Sequence, residues 1–339
     1  MENKITTYDI ANKAGVNQGT VSRVLSGSTS ISQKTIDKVM KVAKELNYVP
    51  NSLAKNLKAN RSYSILVSIP FEVETFLGDP FIPEFLSGVN YVIEQHSYST
   101  VISFAERCRL NDEDIVPLVQ SRKVDGVIRT SPLQEDPLIK GFIKASIPFV
   151  TGRFDGDLGT FGACVDIDNV KTSYEATKYL ISRGHKRIGL LTEPFNVIVA
   201  KDFYIGYLKA IKESKIKKDD SLVINIPLRF EDAFGAAKSF FSLKSPPTAI
   251  LVTTCLAAFG ARKYLSGVKA ELPILTVNSP LWQFQEPSFP RIKAPIRELG
   301  MQMANSLINI IEKEQVINQN IILNSIIIDE YGKEYKVVK

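Results

Sequence analysis

No stretch of this chain approaches the roughly 20 consecutive apolar residues that a membrane-spanning helix requires, so no membrane partner is expected. The opening "MENKITTYDI" has no apolar signal-peptide core, and a cytoplasmic location follows as the expectation. Cysteine is scarce: Cys108, Cys164 and Cys255 are scattered, without the paired spacing of a disulfide framework or a zinc module. Histidine is scarcer still. His96 and His185 cannot supply a histidine-ligated metal centre between them, and neither metal nor cofactor is expected. His185, in "RGHKRI", reads as a structural residue at a helix end. Also missing are a P-loop, a G-x-G-x-x-G after a first strand, an H-E-x-x-H and a nucleophile elbow. The carboxylates are too dispersed to nominate a catalytic pair, so no enzymatic activity is indicated.

What is present is a charge asymmetry. The chain has 339 residues, enough for two or three domains, and a net charge of +6. Residues 1–61 hold ten Lys/Arg and four Asp/Glu, which accounts for that whole excess; the rest of the chain is neutral. A basic module on a neutral body points to a polyanion as partner.

Within that module three helix starts follow one plan. Thr6 with Asp9, then Asn17, then Ser32 stand where N-caps belong, each just ahead of apolar residues at helical spacing. Ile36, Val39, Met40, Ala43 and Leu46 form the expected apolar face of the third helix. Between the first two helices "AGVN" leaves room only for a tight turn, which makes a helix-turn-helix. The second helix turns Val21, Val24 and Leu25 inward and leaves Gln18, Gly19, Ser22 and Arg23 on its other side. In a major groove Arg can bond guanine bidentately and Gln can do the same to adenine. Taken alone, the three-helix pattern also fits a small helical domain with a merely solvated arginine. The confined charge and the following segment favour DNA.

That segment, "YVPNSLAKNLKANRS" (48–62), begins with a helix-stopping Pro50. Asn51 can cap a short helix to about Leu57, too short to hold alone and therefore suited to ordering on binding; a plain linker is the alternative.

"TTYDIANKAGVNQGTVSRVLSG" and "ISQKTIDKVMKVAKELNYVPNSLAKNL" closely resemble the DNA-binding headpiece and hinge of the LacI/GalR family, and the likeness continues more weakly to about residue 328. The resemblance implies that Gln18, Gly19 and Arg23 contact bases, and that Thr6, Asn17, Thr20, Ser22 and Asn51 lie along the DNA backbone. It also implies that Ala54 and Leu57 enter the minor groove, the leucine wedging between base pairs. Gly19 departs from the longer side chains common there, which leaves readout to Gln18 and Arg23. The family acts through dimers on pseudo-palindromic operators, one headpiece to each half-site. The chain closes on "IIIDEYGKEYKVVK" without a leucine-rich tetramerising extension, so a homodimer is expected.

From residue 63 apolar strands alternate with amphipathic helices in two series, "YSILVSI" through "IPFVTG" and "KRIGLLT" through "LPILTVN". The alternation predicts parallel sheets covered on both faces, with ligands at the carboxyl ends of strands. The fold class is thus an all-α helix-turn-helix headpiece followed by an α/β two-lobed, periplasmic-binding-protein-like domain. The expected organisation is 1–50 headpiece, 51–62 hinge and 63–339 effector and dimerisation domain. Its N-lobe is placed at about 63–165 plus 295–318, and its C-lobe at about 166–294 plus 319–339.

The resemblance puts Phe81, Arg153, Lys201, Phe230, Cys255 and Asn278 around an effector between the lobes. Sugar-binding members usually have an arginine in the motif matched by "AKDFYIGY". They have acids at the start of the helix matched by "TTCLAAFGA" and after the strand matched by "ILTVNS". Here those places hold Lys201, Cys255 and Asn278, while Arg153 is kept. Losing acids and keeping cations argues for a sugar phosphate over a plain sugar, because a buried cation without a partner is costly. The function expected is a repressor of a carbohydrate-utilisation operon controlled by a small molecule, a sugar or a sugar phosphate, bound between the two lobes. The alternative is a regulator with a degenerate pocket, controlled by a protein partner or a non-sugar ligand.

Overall fold

The computed structural model describes residues 5–25, 30–48, 61–69, 81–104, 112–227, 229–278, 290–313 and 320–336. The chain divides into two compact units between Ser62 and Tyr63. Asn51, Ala54, Leu57 and Cys108 lie outside the described residues.

The first unit contains α1 (Thr7–Ala14), α2 (Gln18–Leu25) and α3 (Gln33–Glu45). Each starts as its capping chemistry dictates. The Thr6 N–H and hydroxyl both donate to Asp9 Oδ2, at 2.7 and 2.6 Å. Asn17 Oδ1 accepts from the Thr20 N–H and hydroxyl at 2.7 and 2.9 Å, and Ser32 Oγ accepts from Thr35 N at 3.4 Å. Gly15 ends α1 at φ +60°, a left-handed conformation that costs glycine nothing and turns the chain into α2. Ile10, Ala11, Ala14, Val21, Val24, Val39, Val42 and Ala43 form the core among the three helices. Met40 does not belong to it. The buried face of α3 is centred on Val39, Val42 and Ala43, which turns Met40 outward to 51% exposure.

The second unit holds two parallel sheets. The first is built from β1 (Ser64–Ile69), β2 (Ser99–Phe104), β3 (Gly126–Arg129), β4 (Phe149–Thr151), β5 (Gly162–Ile167) and β11 (Asn320–Leu323), in the order β11-β5-β4-β3-β1-β2. The helices α4 (Phe81–Gln95) and α11 (Ile296–Lys313) cover one face, α5 (Asp112–Gln120) and α6 (Pro137–Lys144) the other. The second sheet has β6 (Ile188–Thr192), β7 (Val223–Asn225), β8 (Ala249–Val252), β9 (Ile274–Val277), β10 (Arg291–Lys293), β12 (Ile326–Ile328) and β13 (Glu334–Tyr335), ordered β13-β12-β10-β9-β8-β6-β7. One face packs on α7 (Asn169–Ser182) and α8 (Ile198–Glu213), the other on α9 (Phe230–Phe241) and α10 (Cys255–Gly267). Strands buried on both faces read as apolar runs, and helix-covered parallel sheets are what such runs make. Among the described strands, only the pairings of β12 with β10 and β13 are antiparallel.

The chain passes between the lobes after β5, after β10 and after β11. The last crossing corrects the sequence reading, which gave residues 319–339 to the second lobe. Asn320–Leu323 instead pairs in parallel with Cys164–Ile167 as an edge strand of the first sheet, and only then does the chain cross. The helix pair α7–α8 meets at a glycine: a Cβ on Gly206 would lie 2.2 Å from the Val170 carbonyl oxygen.

Candidate functional site: a recognition helix and an interlobe cleft

On α2 the apolar and polar sets separate cleanly. Val21 and Val24 are buried, while Gly19, Ser22 and Arg23 are exposed. Gln18 is half-buried, its amide donating to Thr7 Oγ1 at 3.2 Å, and the Arg23 Nε–H reaches the Gly19 carbonyl at 3.4 Å. One helix face thus carries Gln18, Gly19, Ser22 and Arg23 together. Thr6, Asn17 and Thr20 are engaged in the caps described above, at the amino ends of α1 and α2.

In the second unit the six expected effector residues all follow strands. Phe81 opens α4 and stacks on Phe85 with ring centroids 5.9 Å apart. Arg153 lies two residues beyond β4, and Lys201 is in the first turn of α8 after β6. Phe230 opens α9, the buried Cys255 opens α10, and Asn278 directly follows β9 with its N–H on the Ile292 carbonyl at 2.6 Å. Carboxyl ends of parallel strands are where α/β folds collect ligands.

The charge pattern differs from the expected one. Arg153 and Lys201 are not unopposed cations. Arg153 Nη1 bonds the buried Asp202 carboxylate, its Nη2 bonds Asp155 at 2.8 Å, and Lys201 Nζ stands 3.8 Å from Asp155. The Arg153 backbone N–H also donates to Asp166 Oδ2 at 2.8 Å. The argument for a phosphorylated ligand therefore loses its premise, because aspartates already answer both cations. Asp202 is on α8 and Arg153 follows β4, so their pair joins the two lobes. Burial pushes the Asp202 carboxyl up while Arg153 holds it down. Asp166, fully enclosed, is pushed up to about 6 by burial, against the two N–H groups that favour its charged form.

Sequence reasoning missed four residues that build this site. Asp202 had a signal: it falls on the buried stripe of α8 with Ile198, Phe203, Gly206 and Tyr207, where a carboxylate needs a cationic partner. Arg129 and Asp136 form a buried pair, Nε and Nη2 donating to Asp136 Oδ2 at 3.1 and 3.0 Å and Nη1 to Ser68 Oγ at 2.9 Å. Asp136 also caps α6 and takes the Leu133 N–H, fixing a loop that touches the second lobe: Leu133 bridges Val197, and Gln134 N donates to Asn196 O at 2.8 Å. Glu193, just past β6, accepts the Thr192 and Thr253 hydroxyls. His185 is at a helix end as expected, its N–H on the Leu180 carbonyl and its ring against Thr248 Oγ1 at 3.2 Å. Among the described residues no group of three His, Cys, Asp or Glu is placed to hold a metal ion, and no helix is long and apolar enough to cross a membrane.

Two family profiles match this chain: "Bacterial regulatory proteins, lacI family" over residues 6–51, and "Periplasmic binding proteins and sugar binding domain of LacI family" over residues 77–330. The chain belongs to the LacI family. Membership makes it a DNA-binding regulatory protein with an effector domain of the sugar-binding type. Among its relatives is the HTH-type transcriptional regulator MalR of Streptococcus pneumoniae, 32% identical over 279 residues that cover 81% of this chain and 84% of MalR. The LacI-family fold is shared with a CelR–cellobiose complex (TM-score 0.73, 24% identity, 96% of this chain and 98% of that one). It is shared also with the lac repressor dimer bound to operator and the anti-inducer ONPF (TM-score 0.83, 22% identity, 98% of both chains).

Proposed function

We propose that this LacI-family protein is a cytoplasmic, homodimeric repressor of carbohydrate-utilisation genes, not an enzyme, and that a neutral sugar bound between its lobes controls it. In this reading Gln18 and Arg23 read base edges, Gly19 lets the helix backbone approach them, and Thr6, Asn17, Thr20 and Ser22 lie along the phosphates. Asn51 joins the backbone contacts, and Ala54 and Leu57 enter the minor groove. The observation that carries the DNA half is α2, an apolar-backed helix with an exposed Gln–Gly–Ser–Arg face on a module holding the whole +6 charge. A neutral ligand is favoured because Arg153 and Lys201 are already matched by Asp155 and Asp202, so a phosphate would have to displace carboxylates it also repels. Phe81 and Phe230 offer ring faces, and Asn278 offers an amide to hydroxyls. Closing on the sugar couples to the operator through the difference in affinity between lobe arrangements.

The test uses the full chain and a duplex selected from a randomised pool. Binding should weaken about 10³-fold between 50 and 200 mM salt if about six phosphates are contacted. Calorimetry with ribose, cellobiose, maltose and glucose 6-phosphate then addresses the cleft, where a neutral sugar should bind and the phosphate should not. Salt-insensitive DNA binding removes the first half of the reading, and a preference for glucose 6-phosphate removes the second.

A further inference from the structure

Cys255 and Asn278 open α10 and follow β9 without a carboxylate, and the same sheet supplies one from a neighbouring strand. β6 and β8 lie side by side, Leu191 opposite Val252, so the residues that follow them emerge together. Glu193 follows β6; Thr253 and the cap residue Thr254 follow β8 and lead straight into Cys255. The Thr253 hydroxyl donates to Glu193 Oε2 at 2.7 Å and the Thr192 hydroxyl to the same oxygen at 3.1 Å. Both hydroxyl bonds fall on Oε2, and the backbone N–H of Glu193 itself also favours the charged carboxylate. From Glu193 the chain runs directly into Asn196 and Val197, which meet the first lobe through Gln134 and Leu133.

We propose that Glu193 is the carboxylate that orients the bound sugar, its Oε1 accepting ligand hydroxyls from a place beside the one vacated by the acid at position 255. The inference rests on reading the cleft as a neutral-sugar site. Its chemistry is that of a charge-assisted acceptor. An ionised carboxylate takes hydroxyl donors about twice as strongly as a neutral acceptor, and the two threonine hydroxyls engage only one of its two oxygens. Burial raises the Glu193 carboxyl, and the threonine hydroxyls oppose that rise by favouring its charged form. A tie between β6 and β8 alone would not need the charge, since a neutral amide oxygen accepts the same two hydroxyls.

Glu193→Gln separates the two roles. The amide oxygen keeps an acceptor for Thr192 and Thr253, while the charge is removed and the second oxygen becomes an NH2 donor. Calorimetry on the full chain uses whichever of ribose, cellobiose and maltose the parent binds best. The variant should bind it about tenfold or more weakly, about 1.4 kcal/mol per factor of ten, with the ligand-free melting temperature unmoved. Monodeoxy versions of that sugar add a specific readout: removing one hydroxyl should cost the parent affinity and cost Glu193→Gln little more. Thr253→Val, which frees the carboxylate from its hydroxyl, should weaken the same sugar and supplies the measurement if the glutamine variant fails to fold. Equal sugar affinity in parent and variant overturns the proposal while leaving the neutral-sugar reading intact. If the parent binds none of the three sugars, the neutral-sugar reading fails and this inference fails with it.

Discussion

Asp136→Asn removes one charge from a site where the structure allows the cost to be worked out. Arg129 and Asp136 have side chains 5% and 0% exposed, and the guanidinium makes three hydrogen bonds, two of them to Asp136. Asparagine is as good an N-cap as aspartate, so the bond from Leu138 N (3.1 Å) survives and about 1 kcal/mol of helix-capping energy is kept. What is lost is the counter-charge. A buried cation left without its partner costs about 3–5 kcal/mol. For a domain of this size each kcal/mol moves the melting temperature by about 2–4 °C, so a fall of roughly 10 °C is expected. Adding Arg129→Met should recover most of that loss, because the double variant leaves no uncompensated charge. Thermal and urea melts of the three proteins decide the matter. A loss below about 1 kcal/mol for Asp136→Asn, or a double variant no more stable than the single, refutes the reasoning. The same site bears on control, since Asp136 holds the loop whose Leu133 touches Val197 of the other lobe.

Gly206→Ala and Gly235→Ala should move stability in opposite directions. The first puts a Cβ 2.2 Å from a backbone oxygen and should destabilise by about 1–3 kcal/mol; the second meets nothing within 4 Å and should stabilise a helix by about 0.5–1 kcal/mol. Equal melting temperatures for the pair would contradict the helix packing described. Asp166, raised to about 6 from an ordinary 3.8, favours the folded state when protonated, so its contribution is present at low pH and lost as pH rises through about 6. The parent should therefore gain stability on the order of 1 kcal/mol relative to Asp166→Asn between pH 7 and pH 5, and parallel curves across that range would sink the assignment. Arg23→Ala should relax discrimination at one base pair per half-site by about 1–3 kcal/mol, read by repeating the duplex selection; an unchanged consensus would remove Arg23 from readout.

The strand–helix alternation of the effector domain was legible because period and length are local signals. The helices that the alternation calls for are found at Asn169–Ser182 after β5 and at Ile198–Glu213 after β6. The headpiece caps were legible for the same reason: Thr6, Asn17 and Ser32 act on residues three positions away. What failed was non-local. The edge strand Asn320–Leu323 is four residues long with alternating exposure, and nothing in it names β5 as its partner. Met40 and Val42 flank the Val39–Ala43 face on opposite sides, and only the position of α1 and α2 settles which of them is buried. The cleft was misread in sign because Arg153 and Asp202 are 49 positions apart, and pairing is a property of the folded lobes. Asp202 was nonetheless visible as an acid on an apolar stripe. Cys255 and Asn278 stand where the resemblance implies acids, and Glu193, which we propose takes over that role, follows a neighbouring strand that nothing local in the sequence connects to them.

The interleaving of the lobes has a consequence for synthesis on the ribosome. The headpiece core is closed by residues between Ile10 and Tyr48 and can form as soon as they emerge. The first lobe is not complete until its edge strand, Asn320–Leu323, has been made, and the second waits for Ile326–Tyr335. At about 5–20 residues per second the interval is on the order of tens of seconds. During it a nascent chain carries a formed recognition helix with no cleft to govern it. A single headpiece engages one half-site and lacks a second fixed beside it. Requiring two headpieces on one operator would therefore keep unfinished chains from acting as regulators that no effector controls.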